Sequence, residues 1–202
     1  GGAINAYTSE EVTAYYSILM SEHLHVGVDI ITDILQNSIF ESKEFETERG
    51  VILQEIGMYL DTPLRMVHDY WQKTAFPDQP IGRLILGKKE IIKSIEREKI
   101  IEFMQNNYNS KKMIFSAAGK VNHEEFVEMV KNSISNLPNG KLNKRSKALY
   151  HGGEYREQKD LEQIHMVLGF MGTDYYDEDF EALQVYSTLM GTGMSSRLFQ
   201  EI

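Results

Sequence analysis

The stretch ESKEFETERGVILQEIGMYLD, residues 41–61, constrains the fold of this chain more than any other. It is made of good helix formers with no internal proline, and Phe45, Ile52, Ile56 and Tyr59 recur at helical spacing. At about 100° per residue these four fall within one narrow arc, with Val51 and Met58 flanking it. Glu48 and Glu55 project into the same arc. They are seven residues apart, about two turns, so their side chains stack on one face. A helix that turns this arc toward a core must give each carboxylate a partner, because an unpaired buried charge is costly. An Arg or Lys, a His, or a metal ion would serve. A structural ion pair and a functional site both meet that demand.

The remaining pattern alternates short strands with helices. Residues 3–19 are rich in β-formers and broken by TSEE, which predicts two strands and a turn. Leu24, Val28, Ile31 and Leu35 predict a helix over 22–36. The glutamate helix stops near Thr62-Pro63, and another runs over 64–76 into the turn-rich FPDQPIGR. Residues 89–108 read as two short helical pieces. KKMIFSAAGKVNHEEFVEMVKNSI reads as strand, turn and helix, with Asn122 as N-cap. Beyond a polar, basic stretch over 137–153, LEQIHMVLGFMG predicts a strand and DEDFEALQVYSTLMG a helix. The class is α+β. The expected organisation is most of a first domain over 1–140, a linker over 141–153, and the start of a second, related domain over 154–202. The chain opens on Gly1-Gly2 without Met, signal peptide or transit segment, and stops at SSRLFQEI in helical pattern. Both ends read as cuts through a larger protein.

Composition removes several function classes. A net charge of −9 disfavours a general nucleic-acid binder and is compatible with cationic partners. The one basic cluster, Lys141 to Lys147, reads as a solvated linker. With no cysteine among 202 residues, a disulfide framework and a thiolate zinc site are both excluded. No apolar run is long enough to span a bilayer. Six histidines are present, but none forms HExxH or HxxEH, and His23 and His25, two apart, diverge on a helix. No GxSxG elbow accompanies the serines. Gly191-Thr192-Gly193 is too short for a phosphate loop and reads as a helix break. The ten methionines are scattered core fillers. Residue by residue, the chain offers one helix of interest and no complete site.

Five segments taken together add a resemblance. GGAINAYTSEEVTAYY (1–16), ERGVILQEI (48–56), DQPIGRLILG (78–87), YHGGEYREQKDLEQIHMVLGF (150–170) and MGTGMSSRLFQEI (190–202) resemble the pitrilysin-like zinc peptidases. The likeness is strongest to the processing-peptidase β-subunits and their bacterial counterparts, and it covers essentially the whole chain. It implies a sheet with helices packed on one face, in two related halves. It also implies a zinc metalloendopeptidase that cleaves peptides or presequences with metal-activated water. In that family two His of an HxxEH helix and a downstream Glu hold zinc. The downstream Glu ends an ERxxVxxE pattern, matched by Glu48 to Glu55. The resemblance therefore makes Glu55 a metal ligand and Glu48 the catalytic-centre carboxylate that orients a ligating His. The HxxEH segment is expected shortly before Gly1, so the fragment alone is expected to be inactive and to hold Zn2+ weakly or not at all.

Further roles come from the same source. Asn5 and Ala6 fall in the strand that accepts substrate as an added β-strand. In processing peptidases two acids, a helix turn apart, bind an arginine of the substrate; here the second matches Asp69, while the first position holds Arg65. The expected partner is a peptide, cationic in preference, with a homodimer or an α-type subunit as the assembly. Neither nucleic acid nor a membrane span is expected. The short MGTGMSSRLFQ resembles the catalytic type of subunit rather than the glycine-rich α-type. A bacterial cytoplasmic protein or a mitochondrial matrix one fits. The competing class is a non-catalytic scaffold or peptide-binding subunit, like the core proteins of respiratory complex III.

Overall fold

A computed structural model describes residues 2–142 and 145–202. Asn143 and Lys144, in the middle of the basic cluster, lie outside the described residues. Strand β1 (Gly2–Thr8) and strand β2 (Thr13–Leu19) form an antiparallel hairpin, with Asn5 opposite Tyr16 and Ala6 opposite Tyr15. The turn is closed by Ser9, whose amide donates to the Val12 carbonyl at 2.8 Å while its hydroxyl accepts from the Val12 amide. β1 is exposed along its length, whereas Tyr15, Ser17 and Leu19 of β2 are half-buried on one face. That period of two points β2 at helix α1 (Leu24–Asn37).

Helix α1 buries Gly27, Val28, Thr32 and Leu35, a stripe at three-to-four spacing. Gly27 lies where helix and strand cross: a Cβ there would stand 2.5 Å from Leu19 Cδ2 and 2.9 Å from Ser17 Oγ. The buried Thr32 hydroxyl donates back to the Val28 carbonyl at 2.8 Å, so it is satisfied. On its far side α1 meets helix α6, His123–Ser133. Gln36 locks that contact. Its amide donates to the Thr32 and Ser133 carbonyls, and its Oε1 accepts from the amides of Ser135 and Asn136, both at 2.9 Å. Asn122 caps α6 by accepting from the Glu125 amide at 3.0 Å, as its position predicts.

Helix α2 (Ser42–Leu60) and helix α3 (Pro63–Ala75) are separated by a break at Asp61-Thr62 and pack on each other. Pro63 ends the first and opens the second, at a first-turn position where its missing N–H costs nothing. Helices α4 (Lys89–Ser94) and α5 (Arg97–Asn107) are the two predicted pieces, and α4 rests on α2. Helices α7 (Phe180–Gly191) and α8 (Arg197–Glu201) follow, broken at Thr192 and Gly193, whose φ of 81° is a glycine conformation.

Two predicted strands do not form. Neither 111–118 nor 161–172 has a ladder partner among the described residues, and Ile114 and Ile164 are exposed. A β-forming run becomes a strand only when another chain segment takes up its hydrogen bonds. Residues 149–169 lie instead along α3. The Gln79 amide pairs with the Leu149 backbone in both directions, at 2.7 and 2.8 Å, and the His151 amide donates to the Ala75 carbonyl at 2.9 Å. Tyr155 stacks on Tyr70 with ring centroids 4.4 Å apart. The fold is α+β, rich in helix, with one small sheet among the described residues.

Candidate active site

The carboxylates that make α2 unusual face solvent. Glu48 and Glu55 are both exposed, and among the described residues neither takes part in an ion pair. This corrects the expectation of burial. Of the apolar arc only Ile56 is buried; Phe45, Ile52 and Tyr59 are half-buried. The helix is held from the side, by α3 and α4, instead of resting its arc on a core. A solvated carboxylate needs no partner.

Arg49 supplies much of that lateral hold. Its guanidinium, 16% exposed, donates to the carbonyls of Ile92 and Ile95, the latter at 2.7 Å, and to both carboxylate oxygens of Glu46. It also lies over the Phe45 ring, 4.8 Å from the centroid. The carbonyls at the end of α4 have no intrahelical donor, so the arginine caps that helix while fixing its own. The Arg49–Glu46 bond holds the Glu46 carboxyl below, and the Arg49 guanidinium above, their ordinary pKa values. Nothing in the periodicity announces this role.

At the other end of α2, Tyr59 sits one turn beyond Glu55 on the same stripe. Arg65 of α3 places its Cζ 5.8 Å from the Tyr59 ring centroid. The Tyr59 hydroxyl faces Asp69; burial first, then that carboxylate, push the phenol up to about 12. Helical periodicity places Tyr59 only in the apolar arc. Asn5 and Ala6 stand at the middle of β1, where the Ala6 amide donates to Asn5 Oδ1 at 2.8 Å. β1 packs on β2 and α2 on its helical neighbours, so strand and carboxylate helix have separate supports.

A zinc site takes three or four protein ligands. Among the described residues no three His, Asp or Glu side chains converge. Glu48 and Glu55 are about 10 Å apart along the axis, and two carboxylates fall short of a set. The residues described here do not by themselves fit a zinc ion.

Residues 1–89 match the family model for Insulinase (Peptidase family M16), and residues 94–202 match that for the Peptidase M16 inactive domain. The chain belongs to peptidase family M16. The motif resemblance to the pitrilysin-like zinc peptidases is thereby borne out. An uncharacterized zinc protease of Rickettsia bellii is 41% identical to this M16 chain over all of it, and the chain spans 49% of that protein. The mitochondrial-processing peptidase subunit beta of Dictyostelium discoideum is 38% identical over 95% of the chain, which spans 42% of it. The crystal structure of a protease from Helicobacter pylori superposes on all of the chain with a TM-score of 0.79 at 22% identity, over 51% of that chain, and so shares the fold. The M16 chain thus spans about half the length of the relatives it matches. Bacterial and mitochondrial proteins both stand among them. Among the described residues no helix is long and apolar enough to cross a membrane.

Proposed function

We propose that this chain is part of a zinc-dependent endopeptidase of the processing-peptidase type, and that α2 is its contribution to the metal centre. Glu55 is the ligand, and Glu48 the carboxylate that orients a ligating histidine from outside the described residues. The observation that carries this reading is the exposed stripe on α2: two solvated carboxylates, two turns apart, on a segment that matches the peptidase model. A carboxylate engaged by no side chain among the described residues is available to an ion or to a histidine. Asn5 and Ala6, at the centre of the exposed strand β1, align the peptide by main-chain pairing. Asp69 helps shape the position the peptide reaches beyond Glu55. The substrate is a peptide or presequence, drawn by the net charge of −9 toward cationic sequences overall. The protein works in a bacterial cytoplasm, as a homodimer or with an α-type partner.

The second reading is a non-catalytic scaffold or peptide-binding subunit of the same fold. It is favoured by the match of residues 94–202 to the inactive domain and by the lack of three converging ligands among the described residues. Metal analysis and peptide turnover of the full-length protein separate the two. The peptidase reading expects bound zinc and cleavage, both lost in Glu55→Gln, and zinc weakened roughly 10–100-fold in Glu48→Gln. If Glu55→Gln keeps both metal and turnover, the assignment of Glu55 is wrong.

A further inference from the structure

Arg49 is not alone in holding α2. The start of α2 and the junction of α4 with α5 are tied to each other twice, in opposite directions. From α2, Arg49 reaches the carbonyls of Ile92 and Ile95 at the end of α4. From the first position of α5, Arg97 reaches back to the carbonyls of Ile39 and Phe40, at 2.8 and 2.5 Å, just before α2 begins. Each guanidinium spans two carbonyls, which its rigid fork of donors allows and the point charge of an ammonium does not match. Both are largely covered, at 16% and 33% exposed, and each also meets an acid of its own helix, Glu46 and Glu98. Phe40 has a φ of 46°, a left-handed conformation that a phenylalanine keeps only where its surroundings hold it. The bond from Arg97 Nε to the Phe40 carbonyl is part of that hold.

We infer that Arg49 and Arg97 are positioning residues, a reciprocal clasp that fixes the roll of α2 about its axis and so the direction of Glu48 and Glu55. Apolar burial leaves that roll weakly set, since α2 buries one residue, Ile56. At about 100° per residue, Arg49 stands about 110° round the helix from the carboxylate stripe. It grips the covered side while the stripe stays in solvent. Arg97 fixes the point at which the chain enters the helix, so the two bonds together leave α2 neither end to turn about. A carboxylate reaches about 6 Å from the helix axis, so a roll of about 10° displaces it by about 1 Å. A displacement of that size costs about 100-fold in turnover when the group serves a reacting centre. The consequence for turnover rests on the peptidase reading. The clasp itself rests on the four carbonyl bonds.

The test uses the full-length protein and two lysine variants, which keep each charge and lose the span across two carbonyls. Arg49→Lys and Arg97→Lys are each expected to lower kcat on a fluorescent peptide about 10–100-fold. KM should stay unchanged, because β1 has its own support on β2. Gln36→Leu controls for loss of stability alone. It breaks the bonds from Gln36 to Ser133, Ser135 and Asn136, and is expected to lower Tm without changing kcat. A readout independent of turnover is the distance between nitroxides on Ile30→Cys in α1 and Met58→Cys in α2, both exposed positions. Its distribution should broaden or shift in either lysine variant. An unchanged distance in both would overturn the clasp, whether or not the protein cuts peptides. A shifted distance in a protein that cuts no peptide would uphold the clasp and overturn the peptidase reading. A shifted distance with full turnover, or an equal loss of kcat in Gln36→Leu, would overturn the positioning role.

Discussion

Helices α1 and α2 follow each other in the chain and are held in opposite ways. In 14 residues α1 buries four, on a stripe that meets β2 on one side and α6 on the other. In 19 residues α2 buries one, Ile56, and depends on Arg49 reaching the carbonyls at the end of α4. The first arrangement is stabilised by area removed from water, which is non-directional and spread over many contacts. The second is stabilised by a few directional bonds from one side chain. Its consequence is geometric: a helix pinned at its edges keeps a face free, and the free face of α2 is the one with Glu48 and Glu55. The fold spends its apolar burial on α1 and leaves α2 for chemistry.

The two helices differ most in what a truncated side chain costs the fold. Leu35→Ala, at a site 9% exposed in α1, should cost about 3 kcal/mol in urea unfolding, the usual range for emptying a buried leucine position. Met58→Ala on α2, where the side chain is 73% exposed, should stay within about 0.5 kcal/mol. Comparable losses at both positions would mean that α2 is covered in the working protein, and that its stripe is an interface. A smaller effect of opposite sign in volume is expected at the crossing of α1 and β2. Gly27→Ala pushes a methyl onto Leu19 and Ser17, side chains that can give but are themselves packed, for about 1–2 kcal/mol.

Arg49→Met sharpens the same contrast by location. It removes the donors to Ile92 and Ile95 and leaves those carbonyls without them. Hydrogen exchange should accelerate across α2 and α4 and remain unchanged in α1. Uniform acceleration would show that Arg49 supports the whole fold instead of one helix.

Legibility in the sequence followed the same division. Both strands of the hairpin, α1, the break at Thr62-Pro63 and the Asn122 cap could be read, because each is decided by local chemistry: alternation, a stripe, a proline, an Asx side chain. The runs at 111–118 and 161–172 could not, because their β-formers have no partner to pair with among the described residues, and pairing is non-local. The stripe on α2 was visible as a stripe, since helical periodicity places Glu48 and Glu55 together. Its exposure was not, because periodicity says which residues share a face and nothing about what covers it. The roles of Arg49 and Tyr59 depend on carbonyls and a carboxylate that the fold brings from 10 to 46 residues away.

The smallest effect is a titration, and it tests whether Asp69 engages Tyr59. Tyr59 is pushed up to about 12, by burial first and Asp69 second. Tyr108 is also raised, by burial and by the Tyr15 hydroxyl 2.9 Å away, but it belongs to the contact between β2 and the end of α5. A phenol held protonated in the fold but not in the unfolded chain leaves stability untouched below pH 10. Between about 10 and 12 the unfolded chain gives up a proton that the fold retains, so stability falls as pH rises. Phenolate absorbance of the native protein should still be climbing near pH 12, and Tyr59→Phe should remove one equivalent of that late rise. Asp69→Asn should move the Tyr59 component only part of the way back, since burial remains, and should leave the Tyr108 component in place. No movement at all in Asp69→Asn would mean that the carboxylate is not engaged by Tyr59. Asp69 would then be open to a substrate cation, the role that the family resemblance gives it.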